Sequence, residues 1–149
     1  MRAITWKIKS FTEITAEELY AILKIRQEVF IVEQTCYYQD ADGYDQHALH
    51  IWAEKNNQIV AYCRVFPQGV KYEEPSIGRV LTHYNFRNLK LGKTLIKMAL
   101  EAIKSRYKTE SCRISAQDYL LKFYSEFGFV DTGKKYLEDD IPHTEMVRN

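Results

Sequence analysis

The segment from Ile77 to Ala116 constrains the fold more than any other stretch. Ile77-Gly-Arg-Val-Leu-Thr82 reads as a short strand, and a polar turn follows it. Leu91, Leu95, Ile96, Ala99, Leu100 and Ile103 then fall on one stripe of a helix running from Leu91 to about Arg106, after which Cys112 to Ala116 resumes strand character. Strand, long helix and strand form a βαβ unit. The first turn of such a helix presents backbone N–H groups with no intrahelical acceptor, together with the positive end of the helix dipole. The turn from Arg87 to Lys93 is therefore an anion site into which a pyrophosphate would fit.

The flanking sequence supplies the remaining layers. Ile4, Trp6 and Ile8 alternate with Thr5, Lys7 and Lys9 as in a half-buried strand. A capping box from Thr15 to Glu18 precedes a helical pattern of Leu19, Ile22, Leu23, Arg26 and Phe30. Two β-rich runs, 49–53 and 59–66, are joined by a polar segment containing Asn56-Asn57, the composition of a hairpin connection, and 67–75 reads as loop. A shorter helix carries Tyr119, Leu120, Phe123, Tyr124 and Phe127 and stops at Gly128, before Phe129 and Val130 open another strand. The last apolar stretch, around Met146 and Val147, reads as an edge strand. These elements predict a mixed α/β (α+β) architecture, a mainly antiparallel central sheet flanked by helices, within one domain spanning 1–149.

Charge and cysteine usage exclude several classes. Lys plus Arg number 21 against 20 Asp plus Glu, so the balance predicts no general attraction to nucleic acid or an acidic membrane. Cys36, Cys63 and Cys112 are odd in number, far apart and without C-x-x-C spacing, which predicts neither a disulfide framework nor a zinc ribbon and fits a cytoplasmic protein. No window approaches the roughly 20 apolar residues of a membrane span. Asp40 to Asp45 briefly suggests calcium, but an EF-hand loop counted from Asp40 needs glycine sixth and glutamate twelfth, where this chain has Asp45 and Ile51. No metal is expected, and the segment reads as a polar loop.

The strand-turn-helix followed by Phe-Tyr-Ser-Glu-Phe-Gly-Phe at 123–129 resembles the GCN5-related N-acetyltransferase (GNAT) superfamily, and within it the ElaA-like group. Arg26, Val29 to Gln34, Tyr38-Gln39-Asp40 with Asp42-Gly43, Ile77 to Val80 and Ile141-Pro142-His143 support the likeness, which spans nearly the whole chain. The superfamily turn is Arg/Gln-x-x-Gly-x-Gly/Ala. Here Arg87 to Gly92 keeps its first and last members and places Lys90 at the first glycine, as ElaA-like sequences commonly do. The resemblance implies an acyl-CoA-dependent N-acetyltransferase with acetyl-CoA as donor. Val80, Leu81 and Thr82 would lie on a strand that splays from its neighbour and pairs with the pantetheine arm. Arg87, Asn88, Leu89, Lys90, Leu91, Gly92, Lys93 and Thr94 would hold the pyrophosphate.

Acetyl transfer to an amine expels a thiolate and requires the amine to lose a proton, so an acid and a base are needed. Tyr124 is the candidate acid, set against a core role between Phe123 and Phe127. Glu33, just beyond the first helix, and His143, aimed by Pro142, are the candidate bases; His50, in an alternating strand, reads as a packed imidazole. Arg26, Arg64 and Arg79 suit either an acidic acceptor or structural ion pairs. The expected reaction is direct transfer in a ternary complex to a small-molecule or peptide amine, with the three cysteines uninvolved and a homodimer as a compatible assembly. A noncatalytic acyl-CoA-binding regulatory module is the rival reading, and a different phosphate-binding αβ enzyme the third.

Overall fold

The computed structural model describes residues 3–149; the Met1-Arg2 start of the alternating N-terminal run lies outside the described residues. The chain order is β1 (Thr5–Ser10), α1 (Ala16–Gln27), β2 (Leu49–Lys55), β3 (Gln58–Phe66), β4 (Ser76–Thr82), α2 (Leu91–Tyr107), β5 (Cys112–Gln117), α3 (Leu121–Ser125), β6 (Val130–Glu138) and β7 (Ile141–Arg148). Helix α1 starts where the capping box predicts. The Thr15 hydroxyl accepts from the Glu18 N–H at 3.1 Å, and the Glu18 carboxylate accepts from the Thr15 N–H at 2.9 Å. Beyond Gln27 the helix widens into a π-helical turn, Glu28–Glu33, which carries Phe30 and Glu33.

The strands form two antiparallel sheets, β1-β2-β3-β4 and β5-β7-β6. The period of two divides the first sheet between two helices. Ile51, Ala53, Ala61 and Cys63 face the stripe of α2 formed by Leu95, Ile96, Ala99 and Ile103. Trp52 and Tyr62, one residue out of phase, face Ile22, Ile25 and Val29. Each fully buried apolar side chain stabilises the folded state by roughly 1.5–3 kcal/mol, so the two-sided burial of β2 and β3 makes them the centre of the fold.

Two expectations are corrected. The last strand is not an edge: β7 pairs with β5 through Ile114↔Met146 and with β6 through Val130↔Val147. Its central position is hidden by polar Thr144, which is fully buried because its hydroxyl donates to Asp118 at 2.6 Å and accepts from Lys135 at 2.9 Å. The short helix is also more broken than its apolar pattern predicts. Asp118–Leu120 is a 3₁₀ turn, α3 runs Leu121–Ser125, and Phe127 lies past its end. Gly128 does take the left-handed conformation that closes the segment, at φ 89°.

Candidate active site

The site begins with a bulge in β4. Tyr62 pairs with Leu81 and Arg64 with Gly78, so Arg79 and Val80 together oppose Cys63 alone. Arg79 carries the distortion at φ 48°. On its other side β4 meets β5 at one end, where the Arg113 N–H donates to the Pro75 carbonyl at 2.9 Å. No ladder joins the two strands, and they part toward Thr82 and Gln117. The predicted splay is therefore present, and the crossover through α2 delivers two neighbours that separate instead of pairing.

At the open end stands the start of α2. The six-residue 3₁₀ segment Tyr84–Leu89 leads into Lys90, whose φ of 55° and ψ of 39° place it in the left-handed region. Lys90 thus follows the backbone path that a glycine would take, at a cost of roughly 1–2 kcal/mol in steric strain. No side chain caps α2 among the described residues, so its first N–H groups remain available to a ligand. Gly92 sits beneath Phe123: a Cβ there would lie 3.5 Å from the ring, in ordinary van der Waals contact.

Behind this opening is a cleft of about 430 Å³, walled by the π-helical turn, β4, the α2 start, β5, α3 and the β6–β7 hairpin. Val80, Leu81, Thr82, Arg87, Lys90, Leu91 and Gly92 line it, as do Tyr124, Glu33 and His143. Asn88, Leu89, Lys93 and Thr94 are exposed beside the mouth and do not line it; Lys93 reaches Glu126 at 3.5 Å. Tyr124 is 5% exposed, its ring edge-on to Phe123 and Phe129 at 5.2 and 5.9 Å. Its hydroxyl makes no hydrogen bond to any described residue. Burial pushes the phenol above its ordinary range, so it carries its proton.

The two candidate bases differ in what holds them. Glu33 forms a two-point pair with Arg87, with oxygen-to-nitrogen distances of 2.8 and 2.9 Å, bridging the π-helical turn to the α2 turn. Each carboxylate oxygen makes one contact in that bridge, and the side chain is exposed to solvent. His143 is not the exposed residue its place at a strand start suggests, but is 6% exposed and stacked on Tyr136 at 6.2 Å. Its Nδ1 lies 2.7 Å from the Ile141 carbonyl, an acceptor only, so Nδ1 carries a proton. Nε2 then faces Glu138 at 3.2 Å.

The Asp40 to Asp45 segment, read as a polar loop, supplies the anionic half of a buried network, and the arginines take the structural ion pairs, one of their two readings. Arg26 pairs with Asp40 at 2.9 Å and Asp45 at 2.7 Å. Arg64 pairs with Asp42 at 2.5 Å and Asp45 at 2.8 Å. Arg79 pairs with Asp40 at 3.0 Å and Asp42 at 3.3 Å, holding the bulge against its strain. Burial opposes ionisation of Asp42 and Asp45, but the guanidinium contacts outweigh it and hold both carboxyls below their usual range. His50 belongs to the same cluster: its Nε2–H donates to the Asp45 carbonyl at 2.9 Å and its Nδ1 accepts from the Tyr62 hydroxyl at 2.7 Å. Burial lowers its pKa and keeps it neutral.

Several cleft residues escaped the sequence reading. Ser115 and Gln117 line the cleft from the face of β5 opposite buried Cys112, Ile114 and Ala116, and strict alternation in that strand was the available signal. Glu138 and Asp139 reach it from the hairpin, which no local pattern announces. The three cysteines are buried, and burial raises each thiol, that of Cys112 to about 12.

A sheet parted between two strands, with an uncapped helix start at the mouth and an unpaired phenol in the wall, places an anion site at one end of a deep cleft. Residues 12–149 match the Acetyltransferase (GNAT) domain family, and the chain belongs to it. A UPF0039 protein of Synechocystis sp. is 39% identical over 145 residues, covering 97% of this chain and 94% of that one. Among solved structures, an acyl-CoA N-acyltransferase from Pseudomonas aeruginosa superposes with a TM-score of 0.91 at 38% identity, covering 97% of this chain and 99% of that one. Escherichia coli ElaA does so with a TM-score of 0.91 at 36% identity, covering 99% and 100%.

Proposed function

We propose that this chain transfers an acetyl group from acetyl-CoA to a primary amine by direct attack within a ternary complex. The observation that carries this reading is the parting of β4 from β5 beside the uncapped start of α2. The gap accepts an extended amide-bearing arm at a strand edge, in the manner of β-augmentation, while the helix start accepts its pyrophosphate. Lys90 adds a positive charge there, and Arg87 sits at the same turn.

At the bulge, backbone groups of Arg79 and Val80 lie outside the β3 ladder and are free to polarise the thioester carbonyl. The amine nitrogen attacks the carbonyl carbon, the C–N bond forms and the C–S bond breaks. Tyr124 gives its proton to the departing thiolate. His143 is the better base of the two candidates: Nε2 accepts the proton that the amine releases, and Glu138 and the Ile141 carbonyl then hold the imidazolium from both sides. Glu33, tied to Arg87, positions the turn. The buried, undissociated thiols support a route with no acyl-cysteine.

The test is coenzyme binding followed by amine-dependent release of the CoA thiol. Both together support the proposal. Binding of acetyl-CoA with no release for any amine assigns the chain to noncatalytic acyl-CoA binding instead.

A further inference from the structure

We propose that the acceptor is a small diamine or polyamine, whose second cationic group is held by Asp139 while its reacting ammonium lies by Glu138. This inference rests on the acyltransferase reading above and names the substrate class of that same site.

The argument is a charge balance around the cleft. Arg79, the cation deepest in its wall, belongs to the network in which Arg26, Arg64 and Arg79 face Asp40, Asp42 and Asp45, three charges of each sign. Arg87 is neutralised by Glu33. What remains unpaired at the α2 end is Lys90, on the side that suits phosphate. What remains at the opposite end is carboxylate: Glu138 and Asp139 both line the cleft, and the described residue paired with either is His143 against Glu138. Lys71 does not line the cleft and places its ammonium 3.8 Å from the centre of the Tyr44 ring. The cleft is thus polarised, positive toward the donor and negative toward the acceptor.

Two further features point to a ligand there. Tyr124, 5% exposed, directs an unpartnered hydroxyl into the same cleft and so marks where the reacting atoms meet. The hairpin bearing the carboxylates is also held in place, because the Cys36 thiol donates to the Asp139 carbonyl at 3.2 Å across the cleft wall. One carboxylate suffices to receive the reacting ammonium. The second, one residue along the hairpin, suits a second positive group and repels an acidic one.

Three amines of equal length separate the possibilities: 1,4-diaminobutane, butylamine and 4-aminobutanoate, which carry a cation, a methyl group and a carboxylate at the far end. With the full chain and acetyl-CoA, kcat/KM is expected to fall in that order, by at least about tenfold from diamine to aminobutanoate. In Asp139→Asn, whose side chain tolerates the φ of 51° at that position, the preference for diaminobutane over butylamine should narrow by about threefold to fivefold, the range for a partly exposed ion pair. Equal or better use of 4-aminobutanoate, an unchanged preference in Asp139→Asn, or no turnover of diaminobutane by protein that binds acetyl-CoA would each overturn the inference. Failure to bind acetyl-CoA, read by calorimetry on the same sample, would instead overturn the acyltransferase reading beneath it.

Discussion

Replacing Tyr124 by phenylalanine separates chemistry from packing, because the ring and the hydroxyl have different surroundings. The ring is buried and makes edge contacts with Phe123 and Phe129 that phenylalanine preserves. The hydroxyl has no protein partner to lose. A hydroxyl that faces the cleft and makes no protein hydrogen bond contributes little to the fold, so its removal should move stability by less than ~1 kcal/mol, about 3 °C in Tm. Turnover behaves oppositely. General acid assistance is worth roughly 10²–10⁴-fold, so kcat should fall at least about a hundredfold while the Kd for acetyl-CoA stays within about twofold. The phenol's pKa is raised by burial above the ordinary value of 10.0, so its proton is retained across neutral and mildly alkaline pH. The wild-type rate should therefore show no loss attributable to this group below about pH 10. The measurements are steady-state CoA release, calorimetry and thermal unfolding on both proteins. A kcat within about threefold of wild type, or a Tm lowered by more than about 5 °C, would show that the hydroxyl is structural and remove Tyr124 from the reaction.

Lys90→Gly should move stability and affinity in opposite directions: relief of the left-handed strain raises stability by about 1 kcal/mol, while loss of the ammonium weakens acetyl-CoA binding about fivefold. Calorimetry and urea unfolding check both, and a loss of stability would mean that Lys90 makes a contact its strain does not reveal. Asp45→Asn leaves Arg26 and Arg64 facing a neutral group in a buried setting, and should destabilise the fold by about 3 kcal/mol in urea unfolding. A change under ~1 kcal/mol would show that the network tolerates a missing charge.

Much of the architecture was legible in the chain because periodicity reports burial. The α2 stripe, the Thr15–Glu18 cap and the Gly128 stop each follow from local physics and recur in the structure at those residues. The lysine in the turn was legible as a departure from a glycine pattern, and its left-handed backbone explains how the path is kept. Residues whose meaning depends on distant partners were not legible. Asp40, Asp42 and Asp45 read only as a polar loop because the guanidiniums that pair with them are up to 39 residues away. Nor did the sequence show that Glu33 pairs with Arg87, 54 residues on, or that His143 faces Glu138. The central position of β7 was masked by Thr144, whose burial depends on an aspartate 26 residues earlier.

The central claim is that the gap between β4 and β5, with the α2 start at its mouth, is a site for the acyl-coenzyme donor. Titration calorimetry with acetyl-CoA, free CoA and ATP tests it most directly, since all three offer phosphates but only the first two carry the pantetheine arm. Binding of acetyl-CoA and CoA, with ATP at least about a hundredfold weaker, is the predicted result. Binding of ATP as tight as that of CoA, or no binding of either coenzyme form, would contradict the account.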